Sequence, residues 1–308
     1  MGRRKEKQLE MWSIPPSSEE DLDPKGRLKT SVINRINHKW RKRIDGYAGV
    51  ILWEGPSKVD GEPIVAILTG PAKNVKTGPM CQVYILPQNV NPTDALVTGS
   101  DRSICGDCFL RPQKTGGQNA GRTCYVQVYP YVLRVWQTYK RGGYIPLTEI
   151  KGPLWSWLDG SDVRFGAYGD PAVVDTDVWR AMFERPLGTW TGYVNQWRTD
   201  WMDHELAKWF MASVIKQEEV ELAWDLGYRT YRILSPYESK LKGEAHCPFD
   251  LEPKPGRSRP QCIKCGLCNG NGFKGRGIVD VVHGSGAYNL TLARTQAIKR
   301  QGTLPIIQ

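Results

Sequence analysis

The chain has 308 residues and a formal net charge of +10 at pH 7, which is enough length for one large α/β domain or two smaller ones. No run approaches the ~18 apolar residues of a membrane span, and the start, MGRRKEKQLE, lacks the apolar stretch of a secretory signal. We therefore expect a protein that makes no membrane contact and stays in a reducing cytoplasm. There, eight cysteines indicate metal or redox chemistry rather than disulfides.

Residues 1–46 read as a basic, flexible tail with a short helix near its end. Residues 1–45 carry twelve Lys/Arg against seven Asp/Glu, an excess of five that is half of the net charge of the chain. Trp40 interrupts the basic run HKWRKR at 38–43. The tail is either an arm that contacts nucleic-acid phosphates and stacks Trp40 on a base, or a solvated extension without that role.

Residues 47–102 predict an N-terminal β region. It contains three short β-rich runs, GVILWEG, EPIVAILTG and MCQVYILP, separated by polar turn and loop segments. These runs indicate a small sheet or the entry to a larger one.

Residues 103–245 begin with a cysteine-bearing loop and a helical stretch, and then alternate between strand-like and helical patterns. Short connections between such elements are typical of parallel βαβ units, so we expect an α/β sheet or an open barrel. Residues 246–308 contain a second group of cysteines and one late strand. The alternating segments are VRFGAYG, DTDVWRAMFE, TWTGYVNQW, HELAKWF, MASVI, QEEVELAWDLG and YRTYRIL, and the late strand is IVDVVHG.

Seven of the eight cysteines fall into two sets, and Cys81 lies alone in a strand-like run as a buried apolar residue. The first set has the spacing Cys-x2-Cys-x15-Cys, and the second has the spacing Cys-x14-Cys-x2-Cys-x2-Cys. The members are Cys105, Cys108 and Cys124 in the first set, and Cys247, Cys262, Cys265 and Cys268 in the second.

Each set admits more than one metal. Four thiolates suit either a tetrahedral zinc site or an iron-sulfur cluster, since Cys-x2-Cys-x2-Cys resembles the ferredoxin ligand run. Three thiolates can hold three irons of a four-iron cluster and leave the fourth iron open to a substrate or cofactor. Alternatively, a histidine completes a zinc site on the first set, or the first set joins one cysteine of the second.

The layout resembles an uncharacterised group of phage proteins related to the radical S-adenosylmethionine superfamily. The matching stretches are an Asn-x-Lys-x-Gly segment at 74–78, the cysteine loop that ends at Cys124-Tyr125, Gly169-Asp170 at a strand end, and the second cysteine set. The resemblance spans roughly residues 60–285. The superfamily's usual spacing, Cys-x3-Cys-x2-Cys, differs from the spacing of the first set.

The resemblance implies a partial (β/α) barrel with a small N-terminal β region and a C-terminal cysteine-rich metal-binding insertion. A 4Fe-4S cluster would bind Cys105, Cys108 and Cys124, and S-adenosylmethionine would bind at its open iron. Gly169 would let the backbone approach the methionine amine, and Asp170 would accept its hydrogen bonds. Asp and Pro are also common in a plain turn at these positions. Asn195, at the end of a predicted strand, is a further candidate for cofactor or substrate recognition.

We therefore expect an iron-sulfur enzyme with one or two 4Fe-4S clusters, S-adenosylmethionine and an electron donor. It would modify nucleic acid or a nucleotide, in the cytoplasm of the host cell if the chain is phage-encoded. The alternative is a non-enzymatic zinc protein that binds nucleic acid through its basic arm. The absence of Gly-x4-Gly-Lys-[ST], Gly-x-Ser-x-Gly and His-Glu-x2-His motifs argues against NTP hydrolysis, serine hydrolysis and zincin proteolysis.

Overall fold

The computed structural model describes residues 21, 23, 28–112, 122–150, 158–235, 238–253, 255, 258–270 and 277–282. Most of the basic tail and the residues after 282 lie outside this part. Within it, the fold is mixed α/β, with two sheets and seven α-helices.

The first sheet contains the three β-rich runs predicted from the sequence, which form an antiparallel meander of β1, β2 and β3. β4 pairs with β1, β5 with β3, and β6 with β5, all in parallel. The sheet thus continues across the boundary that we drew at residue 102. Its order is β4-β1-β2-β3-β5-β6, with bounds Gly49–Pro56 (β1), Pro63–Thr69 (β2), Cys81–Pro87 (β3), Tyr144–Pro146 (β4), Val163–Tyr168 (β5) and Trp190–Thr191 (β6).

The second sheet is parallel throughout, as the alternating pattern predicts. The second cysteine set lies in the segment between its strands β10 and β11. The order is β10-β11-β9-β8-β7, with bounds Tyr193–Val194 (β7), Met211–Val214 (β8), Thr230–Leu234 (β9), Glu244–His246 (β10) and Gly277–Val281 (β11).

Local sequence signals explain where several helices begin and end. The Asp175 side chain accepts a hydrogen bond from the backbone N–H of Asp177, so it caps the helix Thr176–Phe183 (α5). Asn91 caps α2 in the same way, and Gly99 ends that helix with a φ of 81°. The helices are Thr30–Arg41 (α1), Pro92–Thr98 (α2), Arg102–Cys105 (α3), Leu133–Lys140 (α4), Thr176–Phe183 (α5), Glu218–Asp225 (α6) and Cys262–Cys265 (α7).

The short helix expected near the end of the tail is α1, and it packs on the first sheet. Trp40 is 4% exposed and lies in the main core, so its ring is not free to stack on a base. Asn37 donates a hydrogen bond from its side chain to the carbonyl of Pro71. None of the helices in the described ranges is long and apolar enough to cross a membrane.

Gly192 joins the two sheets, because it is the only residue between β6 and β7. A Cβ atom at this position would lie 2.5 Å from Cδ1 of Phe210 and 3.1 Å from Cβ of Phe165. The chain can therefore pass from one sheet to the other at this point only with hydrogen as the side chain. Among the described strands the two sheets form no closed barrel.

The strands bury one face under helices and turn the other toward a cavity. On β5, Phe165 packs against Trp179 of α5 and against Phe210, with ring centroids 5.7 Å and 5.3 Å apart. Arg164, one residue earlier, points to the opposite face because side chains alternate along a strand. The cavity thus lies on the face of the sheets away from this aromatic core.

Replacing Gly192 by Ala should destabilise the protein, because the new methyl group overlaps the Phe210 ring. We expect a loss of about 1–3 kcal/mol in the free energy of unfolding, measured by urea denaturation. In a Phe210→Ala background the same substitution should cost less, since the overlapping atoms are gone. Equal costs in both backgrounds would show that this contact does not restrict position 192.

Candidate metal and ligand site

A cavity of about 260 Å³ lies between the two cysteine sets. One part of its lining is the segment before β3 together with Cys262 of the second set, and another part belongs to the loop that carries the first set. The strands β5, β6, β7, β9 and β11 supply the wall between them. Six lining residues carry its chemistry: Lys76, Tyr125, Arg164, Tyr193, Tyr231 and Asp280.

The first cysteine set is gathered by a short helix and one backbone clamp. Cys105 is the last residue of α3, and Cys108 follows after one turn. The carbonyl of Leu110 accepts hydrogen bonds from the backbone N–H groups of Thr123 (3.2 Å) and Cys124 (2.9 Å). This clamp brings Cys124 to the first two cysteines despite the long spacing.

The thiols of the first set affect one another electrostatically. Burial raises the pKa of Cys105 well above its ordinary value, and the neighbouring Cys108 and Cys124 raise it further. Burial also raises the pKa of Cys108, to about 12, and Cys124 acts in the same direction. The free thiols of Cys105 and Cys108 are therefore protonated at neutral pH, and metal binding would release their protons.

Asp170 joins the carboxyl ends of β5 and β7 to the first set. Its carboxylate accepts hydrogen bonds from the backbone N–H groups of Ala172 (2.9 Å), Asn195 (2.6 Å) and Gln196 (3.1 Å). Its own N–H donates to the carbonyl of Ile104, at 2.7 Å. Asp170 is 2% exposed. Its oxygens are thus engaged by the backbone of the chain itself, and its observed role is to position the loop of the first set.

Gln196 continues this support toward the cysteines. Its side-chain amide donates to the carbonyl of Cys105 at 2.9 Å and accepts from the N–H of Asp107 at 3.2 Å. A Cβ on Gly106 would lie 2.3 Å from the Gln196 side chain, and Gly106 has a φ of 53°. Glycine is therefore required between the first two cysteines.

The other two candidates for cofactor recognition, Gly169 and Asn195, lie beside Asp170. Gly169 has a φ of 81°, and a Cβ there would lie 2.7 Å from the carbonyl oxygen of Ile85. Glycine is needed at position 169 because the backbone there passes close to β3. The Asn195 side chain also hydrogen-bonds to Asp170. The structure thus brings all three residues together with the first cysteine set, as supports of its loop.

The second set lines a small space of about 20 Å³ with all four of its cysteines. Burial raises the pKa of Cys247 and that of Cys268 to about 12 in each case. The backbone N–H of Cys247 donates to the carbonyl of Val279 at 2.8 Å, and the Tyr193 hydroxyl bonds to Cys268. Tyr193 therefore touches the second set while lining the larger cavity.

The backbone of the Asn-x-Lys-x-Gly segment at 74–78 supports the second set through hydrogen bonds. The carbonyls of Lys76 and Thr77 accept hydrogen bonds from the N–H groups of Cys262 (2.9 Å) and Ile263 (3.1 Å). A Cβ on Gly78, whose φ is 75°, would lie 2.8 Å from the Ile263 side chain. The segment is thus the platform on which α7 and its two cysteines rest.

Lys76 also links this platform to β11, the strand next to the edge strand β10 of the second sheet. Its ammonium group lies 2.6 Å from Asp280 on β11 and 3.0 Å from Asp250. Burial lowers the pKa of Lys76, but the two carboxylates outweigh that effect and hold the pKa above its ordinary value. Burial raises the pKa of Asp280, whose Oδ2 also accepts a hydrogen bond from the Tyr231 hydroxyl.

The cysteines of both sets are the donor residues of thiolate metal sites, but their side chains are not gathered tightly around one point. In the described part of the chain, no three Cys, His, Asp or Glu side chains stand close enough together to bind one. The thiols of the first set nevertheless influence one another electrostatically, the four cysteines of the second set line one space, and Cys81 remains apart in the core.

Three residues of this region were not singled out from the sequence. Arg111 makes a two-pronged ion pair with the buried Asp101 and donates to the carbonyl of Gly106, so it shapes the first cysteine loop. Arg164 and Tyr231 line the cavity. The signal for Arg164 is a charged residue between apolar residues in VRFGAY, whereas Tyr231 in TYRIL lies between Thr230 and Arg232 and carries no such signal.

No protein-family model, curated protein or solved structure matches this chain. What the two cysteine sets bind is therefore inferred from their own geometry and donor chemistry.

Replacing Lys76 by Met should leave two neighbouring carboxylates without their cation. We expect a loss of about 2 kcal/mol in the free energy of unfolding, less than for a fully buried pair because Lys76 and Asp250 are about a quarter exposed. Faster thiol labelling of the second set should accompany this loss. Lys73→Met, at an exposed lysine of the same loop, is the matched control and should change neither measurement. A Lys76→Met variant as stable as the wild type would contradict the proposed linkage.

The buried Asp170 should make stability depend on pH. Burial raises its pKa from 3.8 to about 6, against the effect of its backbone hydrogen bonds. The folded protein therefore holds this proton more tightly than the unfolded chain, and the associated stability is lost as the pH rises through about 6. The stability advantage of the wild type over Asp170→Asn should shrink from pH 4 to pH 7, by at most about 3 kcal/mol.

Urea unfolding at several pH values measures this difference. Asp175→Asn is the control, because Asn caps α5 as well as Asp does and the substitution should leave stability nearly unchanged. An advantage over Asp170→Asn that grows as the pH rises would contradict the expected sign.

Proposed function

We propose that this chain is an iron-sulfur enzyme of the radical S-adenosylmethionine type, with Cys105, Cys108 and Cys124 as the ligands of a four-iron cluster. One observation carries the proposal. Three thiols lie near one another at the carboxyl ends of parallel strands and beside a cavity. Hydrogen bonds of Asp170 and Gln196 hold their loop there. A three-thiolate set beside a cavity suits a site with an open coordination position.

The scaffold that we propose is a partial (β/α) barrel. The strands β3, β5, β6/β7, β8 and β9 follow one another in the same order along the chain and across the joined sheets, all in parallel. In parallel α/β folds, ligands bind at the carboxyl ends of the strands. The first cysteine set follows β3, Asp170 follows β5 and Asn195 follows β7, which fits that rule.

The chain's own residues would hold, orient and shield the group. The three cysteines lose their thiol protons on binding, and the buried carboxylate of Asp170 keeps their loop at the strand ends. When bound, a cluster with an open iron would supply the reductive cleavage of S-adenosylmethionine. An electron donor is then a required partner, and a nucleotide or a nucleic acid is the substrate class that the notable basic charge favours.

The second set has two candidate occupants, a second cluster and a zinc ion. Its space of about 20 Å³ is close to that needed for one water molecule, which favours a single ion. A zinc ion bound by four thiolates is therefore the occupant that the space of the second set favours. If both sets hold zinc, the chain is instead a structural zinc protein, with the basic N-terminal arm as its nucleic-acid contact.

Anaerobic purification followed by iron, zinc and acid-labile sulfide analysis tests the proposal. We expect a brown protein with about four irons per chain, or about eight if the second set also holds a cluster. Cys124→Ala should remove one cluster's iron and leave the metal of the second set in place, because the two sets are separate. Cys81→Ala, at a cysteine outside both sets, is the control and should retain all the metal.

Two results would contradict the proposal. One is a colourless wild-type protein with zinc and no labile sulfide, which would favour the structural zinc protein. The other is the loss of all metal in Cys124→Ala, which would indicate one shared site. If iron is present, reduced protein incubated with S-adenosylmethionine should release 5′-deoxyadenosine, and its absence would leave a cluster without this chemistry.

A further inference from the structure

We propose that Arg164 is an oxyanion-binding residue, and that the ligand of the cavity is a small molecule carrying a phosphate or carboxylate group. Naming this ligand the substrate rests on the proposed function. The binding site itself rests on the cavity alone.

Arg164 is placed on the cavity side by the alternation of β5. Val163 and Phe165 are buried on the core side, whereas Arg164 between them is half-buried and lines the cavity. Its neighbours across the sheet are Gln82 on β3 and Thr191 on β6. The guanidinium therefore reaches the cavity from a strand that is paired on both sides, where ordering the side chain for a ligand costs little.

No carboxylate in the described ranges forms an ion pair with Arg164. Its hydrogen bond goes to the hydroxyl of Tyr125, at 3.3 Å, and Tyr125 directly follows Cys124 of the first set. Burial opposes the charge of Arg164, but the hydroxyls of Tyr125 and Tyr193 stabilise it and hold its pKa above the ordinary value. A guanidinium presents five donors and suits planar oxyanions, and one hydroxyl uses few of them.

The charges of the cavity favour an anion. Among its described lining residues, Lys76 and Arg164 are cations and Asp280 is the one carboxylate. Asp280 is engaged by Lys76 at 2.6 Å and by the Tyr231 hydroxyl. Lys76 also pairs with Asp250, so its charge and those of both carboxylates are committed to one another. Arg164 is therefore the cation without a carboxylate partner among the described residues, and an anionic ligand group would supply one.

The size and shape of the cavity favour a small ligand. Its volume of about 260 Å³ is near the lower end of ordinary ligand pockets, about 300–1,000 Å³. Tyr193 and Tyr231 form a wall of two rings whose centroids lie 4.4 Å apart. A planar ring can pack on this wall while its oxyanion reaches Arg164, whereas a folded nucleic acid does not fit inside.

The test compares pairs of ligands that differ in charge. Calorimetric titration of the anaerobically purified protein with benzoate and benzamide, and with uridine 5′-monophosphate and uridine, measures the contribution of the oxyanion. We expect one anion or both to bind about 10- to 100-fold more tightly than the neutral partner. Which anion binds more tightly distinguishes a carboxylate ligand from a phosphate ligand. Arg164→Gln should abolish the preference, and Arg164→Lys should keep part of it.

Arg185→Gln is the matched control, because Arg185 pairs with Asp159 outside the cavity and its loss should leave the preference intact. Thermal unfolding of each variant identifies any that fails to fold, and Arg164→Lys then carries the comparison. An anion preference that survives in Arg164→Gln overturns the proposal, and so does an absence of millimolar binding by both anions. So does an Arg164-dependent affinity for a single-stranded oligonucleotide without affinity for the small anions.

The outcome is independent of the metal analysis. Anion binding by a protein that holds only zinc would support the oxyanion site and contradict the radical enzyme. Iron, sulfide and S-adenosylmethionine cleavage without an anion preference would support the enzyme and contradict this site.

Discussion

The ion pairs of Lys76 join the two ends of a pair of sheets whose described strands backbone hydrogen bonds do not close into a barrel. Lys76 precedes β3, the first strand of the parallel run, whereas Asp280 belongs to β11 near the other end. The ammonium group of Lys76 connects these parts of the chain by pairing with the carboxylates of Asp250 and Asp280. Charges withdrawn from water are stable only when all partners are present. The Lys76 side chain therefore joins the two ends of this run of strands, while the backbone of the same residue supports the second cysteine set.

The two cysteine sets are supported in different ways. The first set is fastened by a relay through Asp170 and Gln196, whose bonds go mostly to backbone atoms and so fix the loop rather than any one side chain. The second set rests on the carbonyls of Lys76 and Thr77. Both supports come from segments at the ends of strands, where the surrounding sheet makes them rigid. The cavity therefore lies between two positions that the fold fixes independently.

Local patterns were enough to predict β1, β2, β3 and the parallel second sheet, because each depends on continuous stretches of sequence. The grouping of the cysteines into three and four was also visible in their spacing. The pairing of Lys76 with Asp280 was not, since 204 residues separate them. Asp170 illustrates another limit. The resemblance implies a ligand contact for Asp170, and Gly-Asp-Pro also suits a plain turn, but neither indicates the donors that occupy its oxygens, which come from Ala172 and from Asn195 and Gln196 about 25 residues later.

The backbone clamp at Leu110 has a consequence for how this site can vary between related chains. Both N–H groups that it receives, from Thr123 and Cys124, belong to residues that follow the stretch 113–121 in the chain. Residues can therefore be gained or lost in that stretch without moving the third thiol, because closing a longer loop adds little entropic cost. A sequence pattern for such chains should keep Cys-x2-Cys fixed and leave the distance to the third cysteine variable, since evolution is free to change it.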